Sequence, residues 1–191
     1  MTDEELIGQI KDGVDTALEE LMLRYMRHIY NFTLQYVRVK EEAEDVTQET
    51  FFKAWRHINR FKEGMKFKPW LFTIAKNTAL DYIKKKKATP FSNMSDDTDD
   101  TDFADTISDT EPLPSEIFAQ KELANKLDEV MKILHPDHRA VIIMHYREEL
   151  TFDEIAKIMN KPMNTIKSWH HRSIIRVRDS LMHQKGLYER S

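Results

Sequence analysis

From residue 15 to residue 39 the apolar side chains Leu18, Leu21, Met22, Tyr25, Ile29 and Phe32 recur at intervals of three and four, the stripe of an amphipathic helix. The same spacing returns along most of the chain. It predicts a short first helix, opened by a capping box of Thr2 with Glu5, and a second over 15–39. A third follows over 41–58, and a fourth over 69–87 with Pro69 in its first turn. Beyond residue 115 it predicts four more, over 115–133, 136–146, 151–159 and 163–183. No stretch alternates apolar and polar residues as a half-buried strand does, and no segment repeats another. Only four Gly and six Pro also speak against a turn-rich β fold. The expected fold class is all-α.

One segment breaks the pattern. FSNMSDDTDDTDFADTISDTEPLPS, residues 91–115, is rich in Asp, Thr and Ser and poor in large apolar residues. It cannot bury enough surface to offset the entropy of ordering, so it reads as an acidic flexible linker. The expected organisation is two small helical domains, residues 1–90 and 116–191, on that tether. A net charge of −4 hides an uneven distribution. The linker has eight acidic and no basic residues, whereas the first domain has 16 basic and 14 acidic side chains and the second 13 and 11. Both domains are mildly basic, so the overall sign does not argue against a nucleic-acid partner.

The second domain carries the clearest motif. Thr151 and Glu154 form another capping box, and Phe152, Ile155, Ala156 and Met159 give the helix that follows a single apolar face. Asn160-Lys161-Pro162 breaks it, and a new helix begins near Met163. Two helices joined by so short a turn form a helix-turn-helix. On a helical wheel Ile166, His170, Ser173, Val177 and Leu181 of the second helix turn inward. Asn164, Lys167, Ser168, His171, Arg172 and Ile175 turn outward, with the donors and acceptors that base edges and phosphates require. Five basic residues and no acidic one lie between Asn160 and Arg178, which suits phosphate neutralisation. The adjacent His170 and His171 point about 100° apart on a helix and do not converge on a metal. His135 and His138 sit at a helix start marked by Pro136 and Asp137, where polar residues are expected anyway. No metal site is expected.

In the first domain, AEDVTQETFFKAWRHI has two faces. Ala43, Val46, Thr47, Thr50, Phe51, Ala54 and Ile58 line one; Asp45, Gln48, Glu49, Phe52 and Arg56 line the other. Phe52 is a large aromatic directed at water among polar groups, which is how an interface anchor looks. The next stretch, RFKEGMKFKPWLFTIAKNTALDYIKKKK, interleaves aromatics with lysines. That composition suits single-stranded nucleic acid, whose bases stack on rings while ammonium groups follow the phosphates. Trp70, Leu71, Ile74, Thr78 and Tyr82 fit a core face, leaving residues 61–67 and the outward Thr73, Asn77 and Lys84 for such contacts.

Three of these stretches, in order, resemble motifs of the extracytoplasmic-function (ECF) sigma factors, the small bacterial initiation factors of RNA polymerase. AEDVTQETFFKAW resembles the family's region 2.2, with Asp45, Gln48, Glu49 and Phe51 as its D-x-x-Q-E-x-F core. FKPWLFTIAKNTALDYIKKKK resembles regions 2.3–2.4, and LHPDHRAVIIMHYREELTFDEIAKIMNKPMNTIKSWHHRS resembles region 4. The resemblance implies that Asp45, Gln48, Glu49, Phe52 and Arg56 dock on the β′ clamp helices of core polymerase, with the β flap as a further contact. It implies that Phe61, Lys62, Lys66, Phe67, Thr73, Lys76, Asn77 and Lys84 capture the melted −10 element. Asn164, Thr165, Lys167, Ser168, His171, Arg172 and Arg176 would read the double-stranded −35 element. The linker would thread the polymerase cleft in the manner of nucleic acid, and an anti-sigma factor would hold the protein inactive. No catalytic residue, cofactor, metal or small-molecule substrate is implied.

The recognition helix departs from the family pattern V-G-T-V-K-S-R-L-x-R-A. Asn164 replaces the glycine, Trp169 the arginine and His170 the usual buried leucine. Three other readings compete: a free-standing duplex-DNA regulator, a histidine-dependent metalloenzyme, and an anti-sigma or adaptor protein. The first leaves the Phe52 face unexplained, histidine spacing opposes the second, and two basic helices oppose the third. With no Cys the chain forms neither disulfides nor thiolate metal sites. Its acidic N-terminus lacks the apolar run of a secretory signal, and no apolar segment is long enough to span a membrane. A cytoplasmic location is the expectation.

Overall fold

The first domain begins with the capping box its sequence announces. Thr2 Oγ1 accepts the Glu5 N–H at 3.2 Å, and a Glu5 carboxylate oxygen accepts the Thr2 N–H at 2.8 Å. These two bonds satisfy donors that a helix start otherwise leaves unpaired. The computed structural model describes residues 1–62, 64–88, 127 and 129–188, with side chains as far as residue 182. The acidic segment 91–115 and most of the helix expected over 115–133 lie outside the described residues, although residues 129–132 are helical.

Helix α1 runs Asp3–Lys11, α2 Asp15–Val37, α3 Lys40–His57 and α4 Phe67–Ala88. A single 3₁₀ turn, Ile58–Arg60, ends α3. In the second domain α5 runs Pro136–Tyr146, α6 Phe152–Met159 and α7 Met163–Tyr188. Helix α4 starts two residues before the predicted Pro69. Proline is tolerated there because the first turn of a helix has no internal acceptor for its N–H groups. Gly13 turns the chain between α1 and α2 at φ 86°, a left-handed conformation that a side chain would strain. Among the described residues there is no strand, and no helix is long and apolar enough to cross a membrane.

The aromatic periodicity becomes the core of the first domain. Phe32 of α2 meets Phe72 of α4 edge to face, ring centroids 5.0 Å apart, and both are fully buried. Helix α3 closes the other side with Val46, Phe51 and Ala54. Thr33 and Thr47, buried between α2 and α3, share a hydrogen bond of 3.1 Å. The second domain centres on Val141, Met144, Ile155, Ile158 and Ile166, all buried.

The last turns of α2, from Asn31 to Val37, are buried on every side. Amphipathic spacing assigns such a helix one buried stripe, and the difference has a plain cause. The second domain packs against the first, with α5 beside α2 and α6 beside α4. The Tyr36 hydroxyl donates to Asp137 at 3.5 Å, and burial beside that carboxylate pushes the phenol far above its usual range.

Candidate functional site

Helix α3 divides as its sequence requires. Ala43, Val46, Thr47, Thr50, Phe51 and Ala54 are buried, as is Ile58 just beyond its end, while Asp45, Gln48, Glu49 and Arg56 are exposed. On the outer face Phe52 is 48% exposed. It has a neighbour that sequence reasoning missed: Trp55 is 52% exposed, its ring centroid 6.3 Å from that of Phe52. The signal was available, since residues three apart share a helix face. The Arg56 guanidinium lies 5.7 Å over the Phe52 ring, a cation–π distance. Two solvated aromatics, a cation and three polar side chains thus form one outcrop on a rigid helix. Lys53, at its edge, leans to Glu49 at 3.4 Å and donates to the Thr78 hydroxyl at 3.3 Å, tying α3 to α4.

The helix-turn-helix is set by the second capping box and a left-handed residue. Thr151 and Glu154 exchange their bonds at the start of α6, and Asn160 ends it at φ 52°, ψ 50°. Asparagine tolerates that conformation better than most residues. Helix α7 then seats on Ile166 and Ser173, both buried, with Val177 and Leu181 half-buried below. Asn164, Lys167, Ser168, His171, Arg172 and Arg176 are exposed, and Thr165 is half-exposed at the helix start. The solvated face therefore combines amide, hydroxyl, imidazole, ammonium and guanidinium groups, the set that reads base edges and neutralises phosphates.

Models of Sigma-70 region 2 and Sigma-70 region 4 match residues 21–89 and 124–177. The first range holds most of α2 and all of α3 and α4; the second holds α5, α6 and α7 as far as Val177. The ECF RNA polymerase sigma factor SigW of Bacillus subtilis is 32% identical over 87% of this chain and 89% of its own length. The chain belongs to the ECF sigma factors. The fold agrees with that of the sigma factor RpoE in complex with the anti-sigma factor NepR from Bartonella quintana. That likeness has a TM-score of 0.63 at 21% identity and covers 86% of this chain and 96% of the other. It also agrees with CnrH in complex with the cytosolic domain of CnrY, TM-score 0.65 at 18% identity, over 95% and 97%. Sigma factors are transcription initiation factors.

For this sigma factor, several residues expected at the −10 element do not lie where the sequence placed them. Phe61 and Phe67 are buried, against the expectation of exposed stacking rings. They meet each other and Trp70 at centroid distances of 5.3–6.0 Å, an aromatic knot that anchors the segment entering α4. Apolar burial outweighs solvent exposure for rings of that size. Lys76 is buried too, its ammonium on the Ile158 and Met159 carbonyls at 3.3 Å each, and burial lowers its pKa. Lys66 is exposed but engaged with Glu154 at 2.8 Å. Thr73 is half-buried and donates to the Pro69 carbonyl at 2.9 Å. Lys62, Asn77 and Lys84 are exposed.

The structure gives two of the three departures in the recognition helix a role. His170 shares a 3.1 Å hydrogen bond with the Tyr146 hydroxyl and lies edge-on to His145 and Phe152. It is half-buried, so an imidazole fills part of the place of the family's leucine. Trp169 stacks on His138 of α5. Both histidines titrate below their usual range. Burial is the leading cause in each, followed by His135, Arg172 and Arg176 around His138 and by His145 and His171 around His170. Among the described residues no three His, Asp or Glu side chains converge as metal ligands.

Proposed function

We propose that this sigma factor docks on core RNA polymerase through Asp45, Gln48, Glu49, Phe52, Trp55 and Arg56, and reads −35 DNA with α7. The observation that carries the reading is the Phe52–Trp55 outcrop on the solvent side of α3. Large aromatics held at a polar rim supply much of the energy in protein interfaces, and both rings are about half exposed. The β′ clamp helices are the proposed partner of that face, and the β flap is a second contact for the C-terminal domain.

Asn164, Thr165, Lys167, Ser168, His171, Arg172 and Arg176 are the proposed −35 readers, entering the major groove as a recognition helix does. Lys62, Thr73, Asn77 and Lys84 are proposed for melted −10 DNA, joined by Lys66 and Lys76 once these are released. The functional division is residues 1–90 for polymerase and −10 contacts, 91–115 as linker, and 116–191 for the −35 element. The protein carries out no bond-making step itself and acts in the cytoplasm. Control by an anti-sigma factor is supported by the folding likeness to RpoE, which was solved with one.

Co-elution of the purified protein with bacterial core polymerase, followed by run-off transcription from genomic fragments, tests this reading. A stable complex that starts new, specific transcripts is the expected result. Absence of a complex would move the assignment to a DNA-binding protein that works without polymerase.

A further inference from the structure

Burial of Phe61 and Phe67 leaves the segment between them without the exposed rings that its proposed −10 role calls for. Among its described residues the exposed ones are Lys62, Gly64, Met65 and Lys66, and Met65 is the one with a large apolar side chain, 41% exposed. The two buried rings, centroids 6.0 Å apart, fix the feet of the segment. Its tip is turned by Gly64 at φ 80°, where a side chain would be strained, and the Met65 N–H donates to the Lys62 carbonyl at 3.2 Å.

The first helix braces both feet. Lys11, at the end of α1, donates from Nζ to the Phe61 carbonyl at 2.9 Å, a contact that spans 50 positions. The Phe61 N–H is taken by the Ile58 carbonyl at 3.0 Å, so both backbone groups of that residue are engaged. Helix α1 itself is seated by the buried Leu6 and Ile7 and by Asp3, which accepts from Arg24 at 2.6 Å and from the Tyr25 hydroxyl. The Tyr25 ring in turn meets Phe67 edge to face at 5.4 Å.

We propose that Met65 is the side chain that receives an unpaired −10 base, and that Lys11 is a positioning residue that holds the tip in place for it. The inference rests on the proposed −10 role of this segment and supplies the apolar contact that the buried rings do not. A base taken out of its stack needs an apolar surface for its face, and the apolar side chains that wedge against bases include methionine. A thioether is unbranched and polarisable and makes favourable contacts with aromatic rings. Lys62 beside it supplies an exposed ammonium group for a neighbouring phosphate. A tip fixed before binding spares the ordering cost that a loose loop would bear.

Holoenzyme assembled from core polymerase and the full-length sigma factor tests this on promoter forks unpaired across the −10 element, each lacking one base. In the parent, removal of one particular base should weaken binding about two- to tenfold, the range of a sulfur–aromatic contact. Met65→Ala should bind the intact fork weaker by about the same factor and no longer respond to the missing base, while Met65→Leu recovers both. Lys11→Met should reduce the same response and Lys11→Arg restore it, with the slope of log affinity against log salt unchanged. An ammonium acting directly on a single-strand phosphate would instead lower that slope by about 0.7. Both positions are exposed, so unfolding midpoints should stay those of the parent. A base response that persists in Met65→Ala overturns the role of Met65. A parent-like response in Lys11→Met, or a lowered salt slope, overturns that of Lys11. A parent indifferent to every missing base overturns the −10 reading of the segment, and this inference with it.

Discussion

The indole of Trp169 stacks on the imidazole of His138, ring centroids 5.0 Å apart and planes 30° from parallel. This contact joins the recognition helix to α5 beside the proposed readers Arg172 and Arg176, whose charges reach His138. A tryptophan in the place of the family's arginine is therefore a packing device in this chain. Aromatic pairs contribute about 0.5–1.5 kcal/mol beyond the area they bury. With the area of a half-buried indole added, Trp169→Ala should lower the unfolding free energy of the second domain by about 1–3 kcal/mol. Urea denaturation followed by far-UV circular dichroism measures this, and Trp169→Phe, which keeps a ring to stack on His138, should recover most of the loss. Equal stability of parent and alanine variant would show that the stack holds nothing in place.

The same corner makes the second domain acid-sensitive. His138 and His170 hold their protons less well in the folded chain than in the unfolded one, with burial as the leading cause and neighbouring cationic groups adding to it. Above the ordinary histidine value of about 6.5 both rings are neutral in either state, and folding bears no penalty. As pH falls below that value the unfolded chain takes up protons first, so stability declines until the folded rings protonate as well. The urea midpoint of the second domain should therefore be lower at about pH 5.5 than at about pH 7.5. His170→Phe, which keeps the ring and removes the titration, should reduce the difference. An unchanged pH dependence in that variant would assign the effect to other groups.

Glu154 behaves in the opposite sense. Burial works against its ionisation, but hydrogen bonds from Lys66 and Thr151 outweigh that and hold its carboxyl at about 2. The stabilisation it supplies to the capping box and to the ion pair with Lys66 is fully present above the ordinary carboxylate value and disappears as pH falls toward about 2. Labels at Glu19→Cys and Ile174→Cys, exposed positions one in each domain, should consequently separate on acidification in that window, and Glu154→Gln should remove this part of the response. That variant keeps an oxygen able to accept the Thr151 N–H while discarding the charge that holds Lys66. Separation that follows acid identically in both proteins would show that the Lys66–Glu154 pair does not hold the domains together.

Helix positions were most legible where a helix states its own limits. Thr2 with Glu5, Thr151 with Glu154, and Pro136 at a helix start are local signals, and α5 and α6 fall where they predict. The solvated face of α7 was legible for a similar reason, since a turn of about 100° per residue sets Arg172 away from the buried Ser173 and Ile166. Contacts between distant residues were not. Whether Phe67 is a core ring or a stacking platform depends on Phe61, Trp70 and Tyr25 arriving around it, and aromatic–lysine alternation describes both outcomes equally. Glu148 gave no signal at all: its partners His28 and Lys68 lie 120 and 80 positions away. The buried turns of α2 were missed for the same reason, because their second buried side exists only against the other domain.

The α3 outcrop yields a test that separates binding from folding. Phe52 and Trp55 are about half exposed, and neither ring is among the buried residues of the first domain's core. Phe52→Ala should weaken binding to core polymerase by about 1–3 kcal/mol, roughly five- to 150-fold, with the far-UV spectrum and unfolding midpoint little changed. Trp55→Ala should act in the same direction, and the double variant should lose less than the sum because the two rings touch. Titration of labelled sigma factor with core enzyme gives the affinities. Parent-like affinity in the double variant would remove this face from the polymerase interface.

Arg172 and Lys167 share the solvated face of α7 but should fail differently. A guanidinium placed for bidentate contact with a base edge contributes about 1–3 kcal/mol of discrimination, whereas an ammonium on a phosphate contributes affinity of little sequence dependence. Arg172→Ala should therefore weaken a cognate promoter duplex by about ten- to 100-fold while leaving non-specific duplex affinity nearly intact. Lys167→Ala should weaken cognate and non-specific duplexes alike and reduce the slope of log affinity against log salt by about one. Promoter fragments recovered by run-off transcription supply the cognate duplex, and core binding should be unaffected in both variants. Arg172 sits near His138 and Trp169, and its positive charge opposes protonation of His138. Removing it should accordingly soften the acid sensitivity of the domain, a second readout that a residue acting only on DNA would not move. An Arg172→Ala protein with parent-like promoter affinity would mean that a different face of α7 enters the groove.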